Sequence, residues 1–324
     1  MAHQILGLHH VTATVDAAQP DLDFFAGALG LRLVKKTVNF DNHSVYHFYY
    51  GTEIGAPGTI WTTFPYGGLG VPVGRHGAGQ IRATAFSIPA GSIGFWAERL
   101  ARLGCDVRPD AARFGDDVLE VRDPSGLVID LVETARDDRA PWAGGGIDPA
   151  VAIRGLHGVS LIESASDRTV ALMTTLLNFT VVAEAGNRIR LATGGDRPGA
   201  YMDLVVDPQA SAGRNGLGTV HHVAMAIGED DEQLRLRSDL VEYGLHVTQV
   251  MDRQYFHSIY FREPGGVLFE VATMKPGFLF DEPRDGLGRG LKLPPWEEPN
   301  RPVIERSLAP IVVPVPAAGL RDRS

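Results

Sequence analysis

The chain has a single cysteine, Cys105, in 324 residues. No intrachain disulfide can form, and one thiol fits a reducing compartment. Long apolar runs are missing as well: none approaches the roughly 20 residues that cross a bilayer. The opening residues, Met-Ala-His-Gln-Ile-Leu-Gly7, lack the basic and apolar regions of a secretory signal. These absences point to a cytoplasmic protein with no membrane partner. Positive charge is short, with 30 Lys and Arg against 39 Asp and Glu, a formal net charge of −9, and no clustered basic stripe. That argues against nucleic acid or an anionic surface as a partner.

What is present is ordinary in bulk: 44 % hydrophobic and 21 % charged residues, as in a soluble globular protein. At roughly 150 residues per domain the length suggests about two domains. The unusual feature is a histidine doublet inside an apolar, β-branched stretch, Thr219-Val-His-His-Val-Ala-Met-Ala-Ile227. The doublet recurs in Gly7-Leu-His-His-Val-Thr12, and a damaged copy stands at Gly155-Leu-His-Gly-Val-Ser160. Strand alternation sends neighbouring side chains to opposite faces, so one histidine of each doublet faces a given cavity.

The repeat extends further. Val121-Arg-Asp-Pro-Ser-Gly-Leu-Val-Ile-Asp130 superposes without a gap on Phe261-Arg-Glu-Pro-Gly-Gly-Val-Leu-Phe-Glu270, each reading as strand, turn, strand. Amphipathic helical stretches are predicted at 21–29, 92–103, 166–177 and 231–243, each closed by Gly or Asn. Predicted strands at 7–15, 80–88, 155–163 and 218–227 precede them. The chain therefore reads as α+β: four βαβββ modules paired into two domains of curved mixed sheets. We expect an N-terminal domain at 1–135, a linker at 136–154, a C-terminal domain at 155–275, and a Pro/Gly-rich tail at 276–324 that wraps the surface irregularly, with a loose end near 310–324.

Comparing the four units locates the chemistry. The second histidine of the doublet is His10 in unit one, about Ala83 in unit two, Gly158 in unit three and His222 in unit four. The carboxylate after the hairpin is Asp130 in unit two, Asp203 in unit three and Glu270 in unit four, while unit one offers only Thr62-Thr63-Phe64. Units two and three have lost the histidine, so their carboxylates would lack partners. Units one and four together supply two imidazoles and one carboxylate, the ligand set of non-haem Fe(II) oxygenases, which leaves positions open for substrate and O₂. Such a site requires the first and last units to meet. His9 and His221 either point away from the ligands or support them from beside.

These units resemble the vicinal-oxygen-chelate superfamily, and more narrowly its ring-cleaving dioxygenases that act on hydroquinones. The resemblance runs from about Gly7 to Phe280 and rests on the two doublets, Gly58-Thr-Ile-Trp-Thr-Thr-Phe-Pro65, and Asp252-Arg-Gln-Tyr-Phe-His-Ser-Ile-Tyr260 leading to Glu270. It implies Fe(II), with Mn(II) as the alternative, held by His10, His222 and Glu270, with O₂ as co-substrate. It implies pocket roles for His9, Thr12, His221, Arg253 and Tyr260, with His221 or His9 managing protons. Trp61, Phe64 and Phe269 are candidates to pack against an aromatic substrate, although core packing is the commoner fate of strand aromatics. The expected partner is a small aromatic molecule, and a homo-oligomer is compatible with everything above. Two other functions share the fold: a glyoxalase-like isomerase or lyase using Zn²⁺ or Ni²⁺ and more carboxylate ligands, and a non-enzymatic binder that sequesters a small molecule for resistance.

Overall fold

The computed structural model describes residues 3–314, apart from the side chains at 110 and 111. The strand-helix-strand pattern is realised four times. Module one comprises β1 (Gly7–Val15), α1 (Ala18–Leu22) running into a π-helical turn (Asp23–Ala28), β2 (Arg32–Asn39), β3 (Asn42–Gly51) and β4 (Ile60–Pro65). Module two has β5 (Gln80–Pro89), α2 (Ile93–Arg102), β6 (Asp106–Arg113), β7 (Asp116–Arg122) and β8 (Val128–Thr134). Module three has β9 (Gly155–Glu163), α3 (Asp167–Thr175), β10 (Phe179–Ala185), β11 (Arg188–Thr193) and β12 (Tyr201–Val206). Module four has β13 (Thr219–Ile227), α4 (Asp230–Glu242), β14 (Met251–Asp252), β15 (His257–Arg262) and β16 (Leu268–Thr273).

Two curled, mixed eight-stranded sheets result, in the orders β14-β15-β16-β13-β1-β4-β3-β2 and β10-β11-β12-β9-β5-β8-β7-β6. Module one thus shares a sheet with module four, and module two with module three. The sequence halves 1–135 and 155–275 do not each enclose a sheet; every sheet draws one module from each half. The joint is β1 lying antiparallel to β13, with Val11 opposite Val223, and β5 antiparallel to β9. These pairings are non-local, and the linker position alone carries no information about them.

One apolar core joins the helices to both sheets. Trp96 and Leu100 of α2, Phe25 of the π turn, and Trp61 and Phe86 from the two sheets all belong to it. Among the described residues no helix is long and apolar enough to cross a membrane. The segment at 136–154 is tied down rather than free: Arg139 donates to the carbonyls of Gly58 at 2.8 Å and Leu156 at 2.7 Å.

The C-terminal segment is a strap over the β2 edge of the first sheet. Lys35, buried on β2, reaches Asp281 and Glu282 at 2.5 Å each and the Phe278 carbonyl at 3.2 Å. Gly288, at φ +76°, passes so close that a Cβ would overlap the Leu33 carbonyl oxygen. The strap is less irregular than composition suggests, because it ends in a helix, α5 (Arg301–Ser307), that buries Ile304. Residues 315–324 of the expected loose end lie outside the described residues.

Where module three meets module four, two buried carboxylates share one hydroxyl. Thr169 Oγ1 lies 2.8 Å from Glu163 Oε2 and 2.6 Å from Glu263 Oε2. A hydroxyl has one proton, so a protonated carboxyl must donate the second bond. Burial and the charge of Glu263 push Glu163 up to about 8. Burial also raises Asp21 and Asp123 to about 7. A raised carboxyl pKa stabilises the fold fully below its ordinary value, and that contribution is lost as pH rises through the folded-state value. Thermal unfolding should therefore fall in midpoint from about pH 4, the ordinary carboxyl range, to about pH 8. Glu163→Gln should flatten that fall and raise the midpoint at alkaline pH by roughly 2–4 °C; an unchanged slope would refute the shared proton.

Candidate metal centre

The centre of the first sheet brings three distant residues to one point. His10 stands on β1, His222 on β13 and Glu270 on β16, with β13 pairing β1 on one side and β16 on the other. His10 Nε2 lies 3.3 Å from His222 Nε2, and Glu270 Oε2 lies 3.2 Å from the first and 2.8 Å from the second. All three side chains are buried. Glu270 Oε2 nevertheless makes no hydrogen bond, so it is a sealed carboxylate oxygen with two imidazole nitrogens at its side and no satisfied partner. Three lone-pair donors converging on one point, with a carboxylate oxygen left unsatisfied among them, is what a bound cation would resolve. Among the described residues this is the one group of three or more such side chains close enough to hold a metal ion.

The other ring nitrogens are committed. His10 Nδ1 lies 2.9 Å from His9 Nδ1, and His222 Nδ1 lies 2.7 Å from His221 Nδ1. If Nε2 of each inner histidine faces a metal, its Nδ1 carries the proton and donates to the outer histidine, fixing tautomer and ring orientation. The outer imidazoles must then be neutral. Burial, followed by the neighbouring inner histidine, drives both His9 and His221 down to about 3. The carboxylate is anchored as well, because Ser258 donates to Glu270 Oε1. Burial would raise Glu270, but the adjacent His10 and His222 outweigh it and hold the group well below the usual carboxylate range.

Simple alternation would have put the two rings of each doublet on opposite faces. They meet because each doublet sits at an irregularity in the ladder. Leu8 faces Met225 and His10 faces Ala224, so His9 is the extra residue of a bulge; Thr12 faces His222 and Ala13 faces Val220, so His221 is the extra residue of a second. Bulges re-aim side chains in this way.

A cavity of about 360 Å³ opens beside the triad. Its walls include Thr12, His47, Phe64, His221, Arg253 and Tyr260. Arg253 donates from Nε to the Tyr260 hydroxyl at 3.1 Å, lies over its ring, and holds Asp41 at 3.6 Å near the mouth. Tyr260 faces the His222 ring, and burial and Glu270 raise its pKa, keeping it protonated. A larger cleft of about 700 Å³, lined by Arg32, Trp142, Arg284 and Arg289, contains no histidine and lies under the C-terminal strap.

Of the residues picked from sequence, the structure brings together His10, His222, Glu270, Thr12, His221, Arg253, Tyr260 and Phe64. His9 lies behind His10, against Phe256, and does not line the cavity. Trp61 and Phe269 are misplaced by the sequence reading. Each is adjacent to a residue on the site face (Thr62 and Glu270), and alternation turns both into the core, Trp61 against Phe25 and Phe269 against Phe261. The reading also missed Ser258, Phe256 and His47. Ser258 precedes Tyr260 by two on β15 and so shares its face; His47 stands two before Tyr49 on β3, a parity that sequence alone leaves open.

Among the described residues the second sheet has no such centre. Gly158 occupies the His10 position, where a Cβ would lie 2.9 Å from the Cβ and carbonyl oxygen of Tyr201. Its carboxylates do not lack partners, as supposed: Arg113 pairs with Asp130, and Asp203 is held by Arg190 at 2.8 Å and Arg188 at 3.3 Å.

Residues 155–271 match the glyoxalase/bleomycin resistance protein/dioxygenase superfamily. The chain is 35 % identical to the chlorohydroquinone/hydroquinone 1,2-dioxygenase of Sphingobium indicum, covering 97 % of this chain and 99 % of that one. It is 41 % identical to MhqO of Bacillus subtilis (strain 168), provisionally named a ring-cleaving dioxygenase, with 97 % and 99 % covered. Among solved structures, a provisionally named dioxygenase from Bacillus subtilis superposes with a TM-score of 0.92 at 41 % identity over 97 % of this chain and 99 % of that one. Maize glyoxalase I shares the fold alone, at a TM-score of 0.61 and 14 % identity over 84 % and 92 %. The chain belongs to the glyoxalase/bleomycin resistance protein/dioxygenase superfamily, and within it to the family of ring-cleaving dioxygenases.

Proposed function

We propose that this protein is an Fe(II)-dependent dioxygenase that opens hydroquinone-type aromatic rings with O₂ as co-substrate. The observation that carries the reading is the sealed, unsatisfied Glu270 Oε2 between His10 Nε2 and His222 Nε2. Two neutral imidazoles and one carboxylate leave a divalent cation with net positive charge and open positions toward the cavity. Fe(II) held there would supply a Lewis acid that lowers the pKa of a phenol and an electron route from ring to O₂. Mn(II) suits the same donors. The ring itself supplies the electrons that reduce O₂, so no external reductant is needed.

The chain's own residues organise the rest. His221 accepts at Nδ1 from His222, which leaves its Nε2–H as a donor on the cavity wall. We assign it, rather than His9, to proton delivery, because His9 is shut away behind His10. Arg253 and Tyr260 form a donor pair placed to stabilise negative charge developing on substrate oxygens. Phe64 and Phe256 give the cavity apolar faces for a ring. The hydroquinone substrate of the Sphingobium indicum relative supports the substrate class. A glyoxalase-like site would need a fourth protein ligand, and the described residues offer three.

Two measurements test this. Protein purified without oxygen should carry about one Fe(II) per chain. His10→Ala and Glu270→Ala should lose at least nine tenths of it, and His9→Ala should weaken iron affinity roughly 10–100-fold by freeing the His10 ring. Iron retained at wild-type affinity in Glu270→Ala would remove the triad. Oxygen uptake with hydroquinones should depend on that iron and drop at least about 100-fold in His222→Ala. Cleavage of catechols with no hydroquinone turned over would overturn the substrate class and leave the metal centre standing.

A further inference from the structure

His47 is a polar cavity residue that the preceding roles leave unused. It projects from β3 into the site, while its neighbours Phe48 and Tyr50 enter the core on the other face. Its ring is fixed between Tyr49, at 4.0 Å between centroids, and Phe64, at 4.2 Å. Its Nε2 lies 3.0 Å from Thr62 Oγ1. Thr62 in turn donates to Thr12 Oγ1 at 2.8 Å.

The tautomer follows from the direction of this chain. With Thr62 donating its one proton to Thr12, the Thr62 oxygen accepts from His47, and Nε2 carries the His47 proton. Burial, reinforced by His10 and His222, keeps the ring neutral. Nδ1 is then a bare lone pair. Among the described residues no hydrogen bond reaches it, and it is not sealed in the interior, so it opens on the cavity.

Most other polar groups of the cavity are donors or are already engaged. Thr12 has its own hydroxyl proton free after accepting from Thr62. His221 presents Nε2–H, and Arg253 and Tyr260 form the donor pair. Asn39 spends its oxygen on the Asp41 amide and its amide on Tyr66. Thr248 accepts from the Tyr260 amide, and Asp41 is exposed at the mouth beside Arg253. A pocket of donors suits oxygens that carry negative charge. A neutral hydroxyl that stays protonated needs an acceptor; the phenol oxygens of Tyr49 and Tyr66 are weak ones, and the His47 Nδ1 lone pair is the strong neutral one.

We infer that His47 accepts a hydrogen bond from the substrate hydroxyl that does not bind the metal, and so selects dihydroxylated rings whose two oxygens are too far apart to share one metal ion. This rests on the proposed function above and specifies its substrate. In a catechol both oxygens can reach the metal and His47 would be idle. In a hydroquinone one oxygen is left over, and a hydroxyl buried without a partner costs binding.

The test compares hydroquinone with phenol, which lacks the second hydroxyl, as ligands of the Fe(II)-loaded protein under anaerobic conditions. Wild type should bind hydroquinone about five- to tenfold more tightly than phenol, the effect of one neutral hydrogen bond. His47→Phe should abolish that preference while leaving phenol affinity within about twofold. His47→Gln, whose amide oxygen can accept, should restore most of it. Equal weakening of both ligands in His47→Phe would mean that the residue merely props Thr62 and Thr12, and an unchanged preference would mean that another group reads the hydroxyl; either result overturns the inference. A wild type that shows no preference also overturns it. Oxygen uptake by the wild type with hydroquinone separates the two levels: if uptake occurs and only the His47 result fails, the dioxygenase reading survives.

Discussion

A carboxylate buried in the middle of a β-sheet has to be compensated, and the two sheets of this protein solve the problem differently. Moving a carboxylate out of water costs several kcal/mol or more unless a counter-charge or a full set of hydrogen bonds accompanies it. In the second sheet the compensation is protein: Arg113 on Asp130, and Arg188 with Arg190 on Asp203. In the first sheet, among the described residues, no lysine or arginine pairs with Glu270. The guanidinium of Arg253, on the wall of the same cavity, is spent on Tyr260 and Asp41. Two imidazoles stand in its place, and one oxygen of Glu270 is left without a hydrogen bond. A divalent cation would complete that arrangement, and the contrast between pseudo-equivalent positions on one fold singles out this triad.

The rest of the molecule follows from holding those three groups together. His10 and His222 are 212 residues apart, and only the β1–β13 ladder brings them within 3.3 Å. A strand pair with perfect alternation would present one histidine of each doublet and hide the other. The bulges at His9 and His221 let the outer ring lie edge-on to the inner one, so each ligand arrives with its orienting neighbour on the same strand. The second sheet keeps the same kind of irregularity next to His157, but Tyr201 crowds Gly158, so no ligand histidine fits at that position.

Much of this was legible in the amino-acid order. The four leading strands and four helices fall within a few residues of their predicted spans, because hydrophobic periodicity and the glycines after the helices are local signals. The triad was legible because the repeat exposes which units kept histidine and carboxylate together. Three things were not. The triad called for modules one and four to meet, but that modules two and three then share the other sheet across the two halves is a non-local choice made by strand edges. Trp61 and Phe269 flank motif residues, yet parity buries them. Conversely, His47 lies in a segment with no repeat partner and no motif; only the sheet, by setting β3 beside β4, reveals that it shares a face with Thr62.

Anomalous diffraction at the iron edge, from crystals of the Fe(II)-loaded protein, locates the metal. One peak per chain is expected, bonded to Nε2 of His10, Nε2 of His222 and one oxygen of Glu270, with Nδ1 of each histidine still facing His9 or His221. Iron found elsewhere, or bound through Nδ1 with the outer histidines displaced, would contradict that geometry.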